Sequence, residues 1–182
     1  MIKNRRSGFT LIELLIVIAI IAILAVAVFV LLDPLTRFQD SRDAVRFNDA
    51  EAIVNAIHLH QVDNGGMFLN AIASTTINTD TWYMIIDGGG TSGMNSGCDD
   101  TYDDGNCDAS IVDDDDCVYL DQLVSGGYLP SVPISPNGVV TWDDGKLNGD
   151  EGTGYALRHN KYGSISIQAC ESENYDSIIV TK

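Results

Sequence analysis

The sequence predicts an α+β fold in which a long N-terminal α-helix, first transmembrane and then amphipathic, packs on a small C-terminal antiparallel β-sheet. Three observations predict it. Leu14 to Leu32 is a run of 19 residues without a polar side chain, enough helix to cross a bilayer, which takes roughly 20 residues. Behind it Ala50, Ile53, Val54 and Ile57 recur at steps of three and four, the period of a helix with one packed side. Near the C-terminus, Ile165, Ile167 and Ala169 alternate with Ser164, Ser166 and Gln168, the mark of a half-buried antiparallel strand.

The start of the chain is basic, with Lys3, Arg5 and Arg6 ahead of the apolar run. A removable secretory signal is one reading, with Ala25-Val26-Ala27 as a small-residue cleavage site and Arg5-Arg6 as a faint twin-arginine element. The apolar run is too long for it, because a signal core is roughly 7 to 15 residues and this one continues past the supposed cut. A plain membrane anchor accounts for the length, and the positive-inside rule then leaves the basic end cytoplasmic and the acidic remainder outside. It gives no reason for Glu13, a carboxylate just inside the apolar segment. Such a group costs up to about 3 kcal/mol on the insertion scale, while the fifteen large apolar side chains supply about 5 to 9 kcal/mol as an upper bound. Insertion survives Glu13 without needing it, and an ionisable residue in such a place marks a function with a partner to be named.

Lys3-Asn4-Arg5-Arg6-Ser7-Gly8, followed by Phe9-Thr10-Leu11-Ile12-Glu13-Leu14-Leu15-Ile16-Val17, resembles the class III signal of bacterial type IV prepilins and type II secretion pseudopilins. The resemblance implies cleavage by a prepilin peptidase between Gly8 and Phe9, N-methylation of Phe9, and a role for Glu13 in subunit assembly. Cleavage would create a cationic amine on Phe9, the partner Glu13 lacks, and pairing with a neighbouring subunit's carboxylate would offset the burial of both charges. Residues 1–8 are then a leader peptide, 9–32 a transmembrane and filament-core helix, 33–64 an amphipathic helix and 65–182 a globular head. The implied function is a structural subunit of a type IV pilus or pseudopilus-like filament. Major pseudopilin of a type II secretion system is one alternative, and a non-polymerising, membrane-tethered calcium-binding domain is an alternative of another class. The implied partners are other copies of the chain, the prepilin peptidase, an assembly platform of a pilus or secretion system, and the membrane. The expected location is a single-pass membrane protein with a cytoplasmic leader that passes into an extracellular or periplasmic filament.

Asp33-Pro34 directly follows the apolar run, and proline removes a helical hydrogen bond and disfavours helical geometry in the residue before it. A break is expected there, a few residues later than the helix-breaking proline of many pilins, where this chain has Val30. In the amphipathic helix Phe47 is expected on the packed side with Ala50, Ile53, Val54 and Ile57, and Arg42, Asp43, Arg46, Asp49 and Glu51 on the other faces. The helix should stop at Asp63-Asn64-Gly65-Gly66. His58 and His60, two residues apart, are expected as a solvated pair. Residues 42–68 resemble the corresponding region of major pseudopilins.

In the head, residues 66–80 read as a connecting loop and Trp82 to Ile86 as a strand ended by Asp87-Gly88-Gly89-Gly90. Cys98 to Cys117 holds nine aspartates in twenty residues and is expected as an exposed, disulfide-held loop. Tyr119 to Val124 reads as a helical turn, and Gly126 to Pro133 resembles the loop before the final sheet of major pseudopilins. Strands are expected at 139–142, 155–158, 164–169 and 178–181, with a hairpin turn at 160–163.

Four cysteines, Cys98, Cys107, Cys117 and Cys170, point to disulfides made in an oxidising compartment. The reading favours Cys98 with Cys107 and Cys117 with Cys170. The spacings are not those of a zinc site. No cofactor is required, and a structural Ca²⁺ is the one candidate ion. Major pseudopilins bind calcium in a loop near their C-terminal strands, and here Asp143, Asp144, Asn148, Asp150 and Glu151 offer oxygen ligands, without EF-hand spacing. A formal charge of −16, falling further once the leader's three bases are removed, disfavours nucleic acid as a partner. No nucleophile, base and orienting group occur together, so no enzymatic activity is expected.

Overall fold

The computed structural model describes residues 8–74, 81–87, 94–96, 107, 112–136 and 151–182. The chain divides into two compact units, Met1–Phe38 and Gln39–Lys182.

The first unit is dominated by α1, Leu11–Leu32, none of whose residues is buried. It ends at Asp33, which takes the left-handed conformation at φ 36° and ψ 73°, a region that short polar residues tolerate better than most. Pro34 opens α2, Pro34–Asp63, where its missing N–H costs nothing. The Asp33 carboxylate accepts a hydrogen bond from Thr36 Oγ1 at 2.8 Å. The expected break therefore falls at Asp33, with Val30 still helical.

In the second unit α2 buries Ala50, Ile53, Val54, Ala56 and Ile57. Its end is set by Gly65 and Gly66, at φ 66° and 90°, where an L side chain would be strained. Short helices α3, Asn70–Ser74, and α4, Asp121–Ser125, flank a six-stranded sheet. Its strands are β1 Trp82–Asp87, β2 Met94–Ser96, β3 Val112–Tyr119, β4 Glu151–His159, β5 Ile165–Ala169 and β6 Ile178–Thr181. They lie in the order β2-β3-β1-β4-β5-β6.

β1 shows why the head is stable. Its continuous apolar run sends Tyr83 and Ile85 to one face and Trp82, Met84 and Ile86 to the other, so it is buried on both. The first face packs with Ile53, Val54 and Ile57 of α2 and with Ile72, Leu123, Leu129 and Val132. The second packs with Cys107, Cys117, Tyr119, Ala156 and Cys170. Tyr155 in β4 donates a hydrogen bond from its hydroxyl to Asp49 of α2 at 2.8 Å, tying helix to sheet. Burial, and then Asp49 beside it, push that hydroxyl above the ordinary phenol value.

Several expectations change here. The sheet is antiparallel except where β1 pairs with β3 in parallel, Met84 opposite Cys117 and Ile86 opposite Tyr119. Val112 to Cys117 is not loop but most of β3, hydrogen-bonded between β2 and β1. Backbone pairing in a sheet is indifferent to the charge of the side chains it carries, and the buried Cys117, Val118 and Tyr119 anchor the strand. β5 is buried at every position, including Ser166 and Gln168, rather than on one face. Residues 70–74 form α3 within what the sequence suggested was loop. The β4–β5 hairpin turns at Asn160–Gly163 as expected, Gly163 at φ 89°. The expected strand at 139–142 lies outside the described residues.

Candidate functional site

At the start of α1, Thr10 is the N-cap in extended geometry, and with Glu13 it forms a reciprocal capping box. The Thr10 backbone N–H and its hydroxyl both donate to Glu13 Oε2 at 2.8 Å, and the Glu13 N–H donates to Thr10 Oγ1 at 3.3 Å. The carboxylate satisfies helix-end donors and sits where the helix dipole favours negative charge. Its other oxygen, Oε1, accepts no hydrogen bond among the described residues, so the cap does not use up the carboxylate. Gly8 is exposed, and a Cβ added there meets nothing within 4 Å. The fold therefore makes no demand for glycine at position 8. Phe9 is 84 % exposed.

A second charged centre, which the sequence reading missed, lies where α2 meets the segment after β5. Arg46 is wholly buried. Its guanidinium donates to Asp43 at 2.7 Å, Glu173 at 3.0 Å, Glu171 at 3.2 Å and Ser135 Oγ at 3.2 Å. Asp43 is also buried and accepts from the backbone N–H groups of Glu173 and Asn174. Arg42 makes a two-point contact with Glu173. This fork geometry is what arginine offers and lysine does not. The placement of Asp43 and Arg46 on a polar face is therefore corrected, because partners arriving from residues 135 and 171–174 make their burial affordable. Phe47 is half exposed rather than packed. His60 is likewise not solvated but buried, edge-on to Tyr128 and with Nε2 3.2 Å from Gln122 Nε2.

The cluster makes a pH prediction. The Arg42 hydrogen bond, with Arg46 behind it, pulls the Glu173 carboxyl down to about 2. A carboxylate lowered on folding contributes stability that is complete above its unfolded value, near 4.5, and is lost as pH falls through the folded one. Acid titration of the detergent-solubilised protein, followed by circular dichroism, should show destabilisation between about pH 4.5 and 2 that is reduced in Glu173→Gln. An identical acid profile in that variant would remove the assignment.

Comparison with known protein families places a match on residues 3–29, described as a prokaryotic N-terminal methylation motif. The chain carries a methylation motif. It covers Gly8, Phe9 and Glu13 and most of α1, and supports a type IV pilin-like or pseudopilin precursor and a membrane-anchored protein. It points to a structural protein rather than to an enzyme. The head lies beyond the motif, and no curated protein or solved structure gave a significant match.

The remaining candidates fall as follows. Asp143, Asp144, Asn148 and Asp150 lie outside the described residues. Of Glu151 the backbone is described, opening β4 opposite Asp87. Among the described residues no group of three or more His, Cys, Asp or Glu could hold a metal ion. Cys107 is bonded to Cys170, and Cys117 is disulfide-bonded too, which overturns both favoured pairings. The reason is the second core: Cys107 is buried against the sheet, and its Cα stands 5.0 Å from that of Cys170 at the end of β5, within bridging range.

Proposed function

We propose that the chain is the precursor of a structural subunit of a type IV pilus or pseudopilus-like filament. A prepilin peptidase cuts between Gly8 and Phe9 and methylates the new amine of Phe9. The observation that carries the reading is a methylation motif whose glutamate lies inside an otherwise unbroken apolar helix with every side chain unburied. Such a cylinder is stable only in lipid or against other apolar helices. Gly8 supports it, being a glycine the fold does not require. Once Met1 to Gly8 are removed, the ammonium on Phe9 of one subunit pairs with Glu13 Oε1 of another. Removing one member of such a buried pair costs roughly 3 to 5 kcal/mol, enough to fix the axial register between subunits. Heads with a strong negative charge then face outward.

Mass spectrometry of the mature protein tests this, with N-methylated Phe9 as the expected first residue. A protein still starting at Met1, or near Phe29, would overturn it. Glu13→Ala should insert in the membrane normally but compete poorly with wild type for incorporation, and equal incorporation would end the role given to Glu13. Long fibres released by shearing the cell surface would mark a pilus, and their absence beside secretion-dependent polymer a pseudopilus.

A further inference from the structure

The head carries a projection and a cleft at opposite ends of one strand pair. The projection is the β4–β5 turn, where Tyr162 is 84 % exposed and the Lys161 ammonium lies 5.1 Å from its ring centre. The turn is rigid, since Asn160 Oδ1 accepts from the N–H groups of Tyr162 at 2.9 Å and Ser164 at 3.0 Å, so little freedom is lost on docking. The cleft, of about 500 Å³, lies between α2 and the start of β6. Phe47, Tyr175 and Ile179, each at least 44 % exposed, form its apolar walls, and Asp40 stands at its edge. Ile178 and Ile179 pair with Ala169 and Gln168, at the far end of β5 from the turn, a separation of about 17 Å at 3.4 Å per residue.

Charge selects the occupant. Copies of so acidic a chain repel one another, and a contact between heads must set a cation against a carboxylate. Arg42 and Arg46 are held by Asp43 and Glu173, Lys182 lies by Glu51, and Arg158 lies over the Trp82 ring. Among the described residues of the head, Arg158 and Lys161 each have an aromatic neighbour and no ion pair, and of the two Lys161 is the exposed one, at the tip of the turn. Asp40 is matched to it, bonded by the neutral amide of Asn174 at 2.8 Å and in no ion pair among the described residues. A tyrosine beside a cation is the kind of anchor that enters interface pockets.

We propose that the Lys161–Tyr162 turn of one copy docks in the Asp40, Phe47, Tyr175 cleft of the next, Lys161 pairing with Asp40 and Tyr162 packing on the apolar walls. The proposal rests on the filament reading and names a head-to-head contact for it. Projection and cleft are different surfaces at opposite ends of one sheet, so the contact is heterologous and does not close on itself as a two-fold dimer would.

The test uses the full chain, expressed with its leader and processed in membranes, with polymer quantified by chemical cross-linking. Lys161→Glu and Asp40→Lys should each lower polymer yield about tenfold, and the double variant should return it to within about twofold of wild type. Each variant should melt with the wild type, as exposed substitutions generally do. When one copy carries Tyr162→Cys and another Tyr175→Cys, a disulfide dimer between the two should form. Polymer indifferent to both reversals, no recovery in the double variant, or a cross-link to another protein in place of the mixed dimer overturns the contact and leaves the filament reading standing. A wild-type chain that is processed at Phe9 and never polymerises overturns both.

Discussion

Arg46→Ala should lower the melting temperature of the detergent-solubilised protein by roughly 6 to 20 °C. The variant leaves Asp43 buried without its cation, takes Arg46 from Glu171, and leaves Glu173 with Arg42 alone. Breaking a buried pair from one side costs about 3 to 5 kcal/mol, and in a domain of this size each kcal/mol moves the midpoint by about 2 to 4 °C or more. Arg46→Lys should recover little, because one compact ammonium cannot meet Asp43, Glu171, Glu173 and Ser135 together. A shift of under about 3 °C in Arg46→Ala would show that the cluster is not what ties α2 to residues 171–174.

Replacing Cys107 and Cys170 with alanine should cost about 4 kcal/mol. The bond joins residues 63 apart in sequence, and closing a loop of that length in the unfolded chain accounts for this amount in the chain-entropy view. The same substitution opens a small void among Trp82, Met84, Tyr119 and Ala156. Thermal melts of the variant should fall by roughly 10 °C, and those of the wild type after reduction by at least as much, because the bond at Cys117 is cut as well. Cys170 directly precedes the segment that brings Glu171 and Glu173 to Arg46, so the two losses should not add. A double-mutant cycle with Arg46→Ala should show a coupling of about 0.5 to 3 kcal/mol, and strict additivity would mean that the bridge does not position those carboxylates. Under the filament reading both experiments act on the head alone, and N-methylated Phe9 should still be found in each variant.

Much of this was legible in the residues. α1 announces itself by unbroken hydrophobicity, the Asp33 break by the proline after it, and the end of α2 by two glycines. Glu13 stands out because one carboxylate in an apolar run has no local explanation. The α2 stripe was legible in period but misread in polarity. Asp43, Arg46, Ala50, Ile53, Ile57 and His60 follow one another at steps of three or four and are all buried, yet hydropathy marks only the apolar members as core. Phe47 fits the same spacing from the neighbouring column, which is why periodicity alone sets it with Ala50, Ile53, Val54 and Ile57. An arginine three residues from an aspartate at the head of an apolar stripe is the available signal, but its other carboxylate partners, Glu171 and Glu173, lie more than a hundred residues away, out of reach of any local pattern.

What the sequence determined by itself is local and chemical: the helix, its break and its end, the hairpin at Asn160–Gly163, and the methylation motif with its placed glutamate. Each depends on neighbours a few residues apart, whose backbone preferences and hydropathy act wherever the chain goes. What only the tertiary structure decided is which distant groups meet: the parallel pairing of an aspartate-rich strand with β1, the bridge from Cys107 to Cys170, and the burial of Arg46. These turn on closure of long loops, where many partners are nearly equal in local terms and the choice falls to an arrangement in which both faces of β1 are covered and the buried charges of Asp43 and Arg46 are answered.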